Sequence, residues 1–138
     1  QGLPETMQDD PRYGDVLLDV YDALAARIAR AEAAGVPRAR IVVDPGIGFG
    51  KTTAHNLALL RRIGLFHGLG VPVLLGVSRK RFIGQIGGGA EASARDPGTL
   101  ALTLAAVAQG IQIHRIHDVA PVRQGLSLWQ ALEEGPET

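Results

Sequence analysis

The sequence predicts an α/β fold in which parallel strands alternate with helices. Three short apolar segments end at Asp44, Val77 and Ile116 and lie roughly 30 to 40 residues apart, a spacing typical of βαβ units. Each segment is followed by residues with helical periodicity. The segments are apolar throughout rather than alternating, which is typical of strands that are buried on both faces. Together these observations indicate a parallel sheet covered by helices.

The predicted elements follow one another in regular order. They are a helix over 15–34, a strand over 41–43, a helix over about 55–69, a strand over 71–77, a helix from 96 to about 109, a strand over 111–116 and a helix over 121–132. The first helix is predicted because apolar residues recur at every fourth position from Val16 to Ile28, and Gly35 and Pro37 end it. The second helix has apolar residues on one side and two arginines on the other.

Turn-forming residues separate the later elements. The first dozen residues are polar and rich in turn formers, so we expect a loop there. A second loop begins at Ser78, and small residues over 87–94 extend it. Asp96 and Pro97 are typical of an N-cap and a first helical residue, and Gly110 is typical of a helix end. The order fits a doubly wound sheet or part of a (β/α)8 barrel, which needs about 250 residues when complete.

Composition excludes several classes of protein. The chain has 138 residues, 46% hydrophobic and 20% charged, which predicts one globular domain over 1–138. Basic and acidic residues number 14 each, so the net charge is zero and gives no general attraction to nucleic acid or anionic lipid. Cysteine is absent, which excludes disulfides and fits a reducing, cytoplasmic location. No membrane span or signal peptide is predicted, and the first residue is not Met, so we expect a longer parent chain.

The first strand runs into a glycine-rich segment over 44–52. Asp44 can accept hydrogen bonds from paired N–H donors of a ligand, and the glycines allow the backbone to approach a flat or phosphorylated group. Lys51 and the threonine after it suggest a phosphate-binding nucleotide loop, but that motif requires glycine where Pro45 stands. A glycine turn capped by Asp44 accounts for the same residues without a ligand.

The second strand end carries three consecutive cations over 79–81. Ser78 is a candidate N-cap, and the backbone N–H groups that follow it form a candidate anion site. Positive charges are unfavourable at a helix amino terminus, and a bound anion would relieve the repulsion. A solvated group of charges accounts for the same pattern and remains open.

The third strand end places Arg115 and His117 on the same side of the strand, a pair that suits phosphate or pyrophosphate. His117 beside an aspartate lacks the partners that a metal site or a catalytic triad needs. His114 is expected to face the helices with its hydrogen bonds satisfied. We expect His55 to cap a helix and His67 to lie on the surface. Since ligands bind at the carboxyl ends of parallel strands, the three ends together suit a heterocycle with a phosphate leaving group.

Three ordered motifs resemble the dihydropteroate synthase family of pterin-binding enzymes. The matching segments are 44–51 with 55–56, then 78–84, then 115–119, and residues 1–8 are similar to the segment after that family's fifth strand. The resemblance covers nearly the whole chain. It implies that the chain is the strand 6 to 8 portion of a (β/α)8 TIM barrel and lacks the first five strands.

The resemblance also implies a reaction. The family condenses 6-hydroxymethyl-7,8-dihydropterin pyrophosphate with 4-aminobenzoate to 7,8-dihydropteroate and pyrophosphate, with Mg²⁺ assisting and sulfonamides competing with 4-aminobenzoate. The implied roles are pterin binding by Asp44, Gly48, Gly76 and Lys80, aminobenzoate binding by Phe49, Ser78 and Arg81, and pyrophosphate binding by Arg115 and His117. No residue is assigned as a general acid or base or as a metal ligand.

Other hypotheses remain beside this one. A related pterin-binding enzyme, such as a methyltetrahydrofolate methyltransferase, does not need the pyrophosphate pair. A non-enzymatic scaffold and a nucleotide hydrolase are the other two. The resemblance implies a homodimer through the late helices, where Leu100, Leu104 and Val107 either meet a second copy or cover the barrel. Because a three-strand segment has open edges, we predict that it is inactive alone.

Overall fold

The computed structural model describes residues 13–89 and 91–135. The loop expected over the first dozen residues lies outside the described residues. The helices and strands, in chain order, are α1 (Val16–Ala33), α2 (Thr53–Arg61), β1 (Leu74–Leu75), α3 (Arg81–Gly87), α4 (Asp96–Val107), β2 (Ile113–His114) and α5 (Val119–Glu134). Short 3₁₀ helices occur at Arg38–Arg40, Ile63–Leu69 and Ser93–Arg95.

Parallel pairing holds the three predicted strand segments side by side. β1 and β2 pair with Leu74 opposite Ile113 and Leu75 opposite His114. The first segment joins the second through an isolated parallel bridge between Val43 and Val73, the residue before β1. The predicted strands are therefore confirmed in order and direction. Regular pairing is shorter than predicted, since only two residues of each of the later segments form a ladder.

The strands are buried on one face rather than on both. In the second segment, Val73, Leu75 and Val77 are fully buried, whereas Leu74 and Gly76 between them are partly exposed. The buried face packs against the helices, and the described residues leave the other face open. The expectation of strands covered on both faces is therefore wrong for this part of the chain.

The first helix follows its sequence pattern closely. The Asp15 carboxylate accepts hydrogen bonds from the amides of Leu17 and Leu18, at 2.8 and 3.2 Å, and so caps α1. Its apolar face is buried in the core: Val16, Leu17, Val20, Leu24 and Ile28. None of the helices among the described residues is long and apolar enough to cross a bilayer.

The second predicted helix divides into two elements. α2 begins before His55 because the Thr52 hydroxyl accepts from the His55 amide at 3.1 Å, and the His55 ring accepts from the Thr52 amide at 3.3 Å. After Arg61 the chain continues as a 3₁₀ helix. There the Gly64 amide donates to the side chain of Gln109 at 3.1 Å instead of to a preceding helical carbonyl.

The boundaries around α4 differ from the prediction. α4 begins at Asp96, so Asp96 is the first helical residue rather than the N-cap, and Pro97 is the second. The Asp96 carboxylate is bound to Arg79 instead. α3 lies inside the segment predicted as a loop, and α5 begins two residues before Pro121, which the first turn of a helix tolerates.

Candidate functional site

The glycine-rich segment after the first strand is closed by its own polar side chains. The Asp44 Oδ1 atom accepts from the Gly46 amide at 2.7 Å. The Lys51 ammonium donates to the carbonyl oxygens of Gly46 and Phe49, at 3.0 Å each. Burial lowers the pKa of Lys51, although Asp44 opposes this. Lys51 thus holds the loop together, which agrees with the rejection of a nucleotide loop on the basis of Pro45.

Gly48 is required by its conformation and by its neighbours. Its φ is +80°, and a Cβ added there would lie 2.8 Å from Cδ of Lys80. Its amide donates to Oδ1 of Asn56 at 2.7 Å, and the Asn56 amide group donates to the Thr52 carbonyl at 2.9 Å. Asn56 is buried, and these two hydrogen bonds hold the glycine-rich segment against α2. Sequence reasoning gave Asn56 no role, and its place in a matching segment was the available signal.

Lys80 joins the first and second strand ends. Its ammonium lies 3.7 Å from the centroid of the Phe49 ring, and Phe49 itself is exposed. Burial lowers the pKa of Lys80; the charge of Asp44 raises it, and the charge of Arg115 lowers it further. Lys80 is therefore within electrostatic reach of residues from both neighbouring strand ends.

Ser78 contacts the third strand end rather than capping a helix. Its hydroxyl oxygen accepts from the His117 amide at 3.1 Å and lies 2.8 Å from Nδ1 of the same imidazole. α3 begins at Arg81 after Lys80, and Lys80 provides no side-chain cap. The prediction that Ser78 is an N-cap is therefore wrong. The pairing of Ser78 with His117 continues the register of β1 and β2 beyond the ladder.

The three consecutive cations are separated from one another. Arg79 forms an ion pair with Asp96, with Nε 2.8 Å from Oδ1. Lys80 lies over Phe49, and Arg81 is exposed. The expectation of three solvated charges is therefore wrong, whereas an anion site at this turn stays a prediction. The local signal for Asp96 suggested a helix cap, so its role as the partner of Arg79 was missed.

Two clefts meet at Lys80. One, of about 380 Å³, is lined by Gly76, Ser78, Arg79, Lys80, Arg115 and His117. The other, of about 430 Å³, lies between the glycine-rich segment and α3, and includes Gly48 and Arg81. Asp44 adjoins the first cleft, since a Cβ added at Gly76 would lie 3.9 Å from its Oδ2 atom. The structure thus gathers the nine predicted site residues at one end of the strands.

The other histidines differ in their roles. His55 caps α2, as predicted. His67 is half-buried, with Nε2 2.9 Å from the Gln109 carbonyl oxygen, so it is not a simple surface residue. His114 shares the face of fully buried Leu75, and its Nε2 lies 3.1 Å from the Ile111 carbonyl oxygen. The buried Nδ1 of His114 has no hydrogen-bond partner among the described residues, so the expectation that this histidine is satisfied is wrong in part.

A protein-only metal site is not found in the described part of the chain. Within residues 13–89 and 91–135, no three His, Cys, Asp or Glu side chains come together as a group that could hold a metal ion. The side chains that line the Arg115 cleft are mostly cationic or neutral. This donor set does not fit Mg²⁺, which prefers carboxylate and phosphate oxygens.

Known proteins resemble the chain over almost all its length. Residues 1–117 match the family described as pterin binding enzyme. A dihydropteroate synthase of Neisseria meningitidis serogroup B is 48% identical over 135 residues, which is 96% of this chain and 47% of that protein. The chain spans about half the length of the curated relatives it matches.

Solved structures give the same result for the fold. Dihydropteroate synthase of Thermus thermophilus, solved with 4-aminobenzoate and with 6HMPPP, is 46% identical with a TM-score of 0.90; the match covers 95% of this chain and 53% or 51% of that one. The Yersinia pestis enzyme, solved with a sulfonamide drug, is 36% identical with a TM-score of 0.92 over 97% of this chain and 48% of its own. The prediction of an α/β chain that forms part of a TIM barrel is confirmed.

Proposed function

The chain belongs to the pterin-binding enzyme family, and from this we propose that residues 1–138 are the carboxyl-terminal portion of a single dihydropteroate synthase domain. The complete barrel condenses 6-hydroxymethyl-7,8-dihydropterin pyrophosphate with 4-aminobenzoate and releases pyrophosphate. The observation that carries the proposal is the position of Lys80. It borders both clefts, and the charges of Asp44 and Arg115 both act on its pKa. Alone, the chain is expected to be inactive, because the opposite half of the site is absent from it.

The pterin ring is proposed to lie between Asp44 and Lys80. Oδ1 of Asp44 is bound to Gly46, so Oδ2 accepts from the N–H groups of the aminopyrimidine edge. The Lys80 ammonium donates to the pterin carbonyl and ring nitrogen. Gly48 and Gly76 leave room for a flat ring, because a side chain at Gly48 would displace Lys80 and one at Gly76 would approach Asp44.

The 4-aminobenzoate is proposed to occupy the cleft of about 430 Å³ that Lys80 shares with Arg81. The exposed Phe49 ring packs against the benzoate ring, and the cations at the start of α3 receive its carboxylate. The Ser78 hydroxyl is hydrogen-bonded to His117, so it can bind the carboxylate only by giving up that hydrogen bond. Sulfonamides compete at the same place.

Arg115 and His117 are proposed to bind the pyrophosphate in the cleft of about 380 Å³. As the C–O bond to the pterin methylene breaks, negative charge grows on the leaving oxygen, and the Arg115 guanidinium and the hydrogen-bonding imidazole of His117 stabilise it. The amine then attacks the resonance-stabilised pterin cation, forms the C–N bond and loses a proton to solvent. No strong general base is required. Mg²⁺ does not fit this chain's side chains, and no step of the proposal depends on it.

A homodimer and a cytoplasmic location complete the proposal. Leu128 and Leu132 lie one turn apart on α5 and are 65% and 81% exposed, which suits an interface. Leu100 packs inward on α5, because a Cβ added at Gly125 would lie 2.6 Å from it. The cysteine-free sequence suits a reducing compartment. Light scattering on Leu128→Lys and Leu132→Lys variants of the complete protein tests the interface.

A chimera tests the activity. Residues 1–138 are joined to the amino-terminal half of the Thermus thermophilus enzyme, and formation of dihydropteroate is measured with and without a sulfonamide. We expect sulfonamide-sensitive activity that Lys80→Met abolishes and the matched change Arg61→Met, at an exposed arginine on α2, preserves. A folded chimera that forms no product contradicts the proposal. If the folded chimera forms no dihydropteroate and also does not bind pyrophosphate, a methyl-transferring relative is favoured instead.

A further inference from the structure

Arg79 has a backbone conformation that is unusual for a residue with a side chain. Its φ is +59°, in the left-handed region, and within residues 13–89 and 91–135 every other residue with positive φ is glycine. A Cβ in this region crowds the neighbouring carbonyl oxygen. Such a conformation persists where surrounding contacts enforce it, and it often occurs beside functional groups.

The contacts that enforce it come from the amino-terminal end of α4. The Arg79 guanidinium donates to both carboxylate oxygens of Asp96, at 2.8 Å each. The Arg79 amide donates to the Thr99 hydroxyl at 3.0 Å, and the Arg79 carbonyl accepts from Nη1 of Arg95 at 3.0 Å. Thr99 is fully buried and donates to the Arg95 carbonyl at 3.1 Å, so the three partners form one unit.

The residues on either side of Arg79 carry proposed ligand contacts. The Ser78 side chain contacts His117, and the Lys80 side chain contacts the Phe49 ring. The two peptide groups that join Arg79 to these neighbours are the groups that Thr99 and Arg95 bind. Fixing those peptide groups therefore fixes the directions in which the Ser78 and Lys80 side chains enter the clefts.

We propose that Arg79, held by Asp96, is a positioning residue for the dihydropteroate reaction and does not itself bind the substrates. The proposal depends on the proposed function for its chemical meaning, but the arrangement it describes exists in this chain. Asp96 also pairs with one of the three consecutive cations and so reduces the repulsion among them. The hydrogen bond from Arg79 holds the pKa of Asp96 below its usual range, so the carboxylate stays charged at neutral pH.

The two lysines of the chain provide a direct measurement. In a sample labelled with ¹³C-lysine, we expect the Phe49 ring to shift the Lys80 εCH₂ signal upfield, and Lys51 serves as an internal reference for the folded loop. Lys80→Arg assigns the signal. We expect Asp96→Asn to remove most of the upfield shift of Lys80 and to leave the Lys51 signal in place. Asp96→Glu, which keeps the charge, should retain part of the shift.

Glycine at position 79 separates positioning from ligand binding. Because glycine adopts positive φ without strain, Arg79→Gly should restore the Lys80 shift in the Asp96→Asn background. In the chimera, Asp96→Asn should raise the KM for the pterin pyrophosphate several-fold, and the double variant should recover. Arg115 is a proposed ligand-binding arginine, so adding Arg115→Gly to Asp96→Asn should not restore the KM.

Two results would overturn the inference. One is an unchanged Lys80 signal in Asp96→Asn with the Lys51 signal also unchanged. The other is a loss of pyrophosphate binding in Arg79→Gly as large as the loss in Arg115→Gly, since that would make Arg79 a ligand. An inactive chimera contradicts the proposed function alone, because the lysine signals report on this chain without any substrate.

Discussion

The Lys80 ammonium lies 3.7 Å from the centroid of the Phe49 ring, so that one side chain from each of two strand-end loops meets the other. Phe49 is 52% exposed, and Lys80 is half-buried. The contact therefore links the glycine-rich segment to the segment before α3 without closing either cleft. In the proposed enzyme, the pterin and the 4-aminobenzoate meet at this contact.

Replacing the ring should weaken this link. We expect Phe49→Leu to lower the free energy of unfolding by roughly 0.5–1 kcal/mol, since a cation over an aromatic ring contributes about that much at exposed sites. Urea denaturation measures the change. Phe49→Tyr keeps the ring face and serves as the control. Equal stability of the leucine and tyrosine variants would show that the cation–ring contact contributes nothing.

A side chain at Gly48 should cause two separate effects. The positive φ makes Gly48→Ala strained by about 1–2 kcal/mol, and the new Cβ displaces the Lys80 side chain, which lies within 2.8 Å of it. Gly35→Ala is the matched control, because Gly35 has φ +89° and no neighbouring heavy atom within 4 Å. Both variants should lose stability in urea, but only Gly48→Ala should shift the Lys80 NMR signal. A shift in both variants contradicts the steric argument.

Removing the buried amide of Asn56 should destabilise the loop. Asn56→Ala deletes the acceptor of the Gly48 amide and the donor to the Thr52 carbonyl, which costs about 1–3 kcal/mol for a buried polar pair. Hydrogen exchange of the Gly48 amide should accelerate as well. Gln130→Ala, at an exposed amide on α5, should change stability by less than about 0.5 kcal/mol. Unchanged exchange at Gly48 would contradict the assigned hydrogen bond.

His114 should make the chain less stable in mild acid. Burial lowers its pKa below the ordinary value of 6.5, although the hydrogen bond to the Ile111 carbonyl opposes this. As the pH falls through about 6.5, the unfolded chain takes up this proton first, so stability is complete above that pH and declines below it. We expect His114→Leu to reduce the decline in the urea midpoint between about pH 7 and pH 5. Parallel midpoint curves for the two proteins would contradict this prediction.

Sequence reasoning succeeded where structure is determined by neighbours in the chain. α1 was predicted correctly because its four-residue apolar spacing and its terminating glycine are local signals. The three strand segments were predicted correctly in order and direction because an apolar run that leads into a loop is a local pattern, although β1 and β2 end at Leu75 and His114, two residues before the predicted ends. The boundaries of α2 and the Ile63–Leu69 helix were missed, since the Gln109 side chain that binds Gly64 is distant in sequence.

The missed contacts of the site have the same origin. Asp96 before Pro97 has the local pattern of an N-cap, and Ser78 before a cationic turn has it too. In the structure both side chains bind distant partners instead, Arg79 for Asp96 and His117 for Ser78. A single sequence does not reveal such pairs. Both residues fit a helix N-cap equally well, and only the placement of the strands beside α4 shows which partner each one binds.

The position of the two lysines has a practical consequence for chemical modification. Burial lowers the pKa of both Lys51 and Lys80, so a larger fraction of each is the uncharged, nucleophilic amine than for a lysine on an open surface. Apart from the α-amino group, these are the primary amines of the chain. Lysine modification by an acylating reagent or a crosslinker would therefore fall inside the two clefts rather than on the outer helices, and immobilisation through a lysine would block the region that a ligand has to enter.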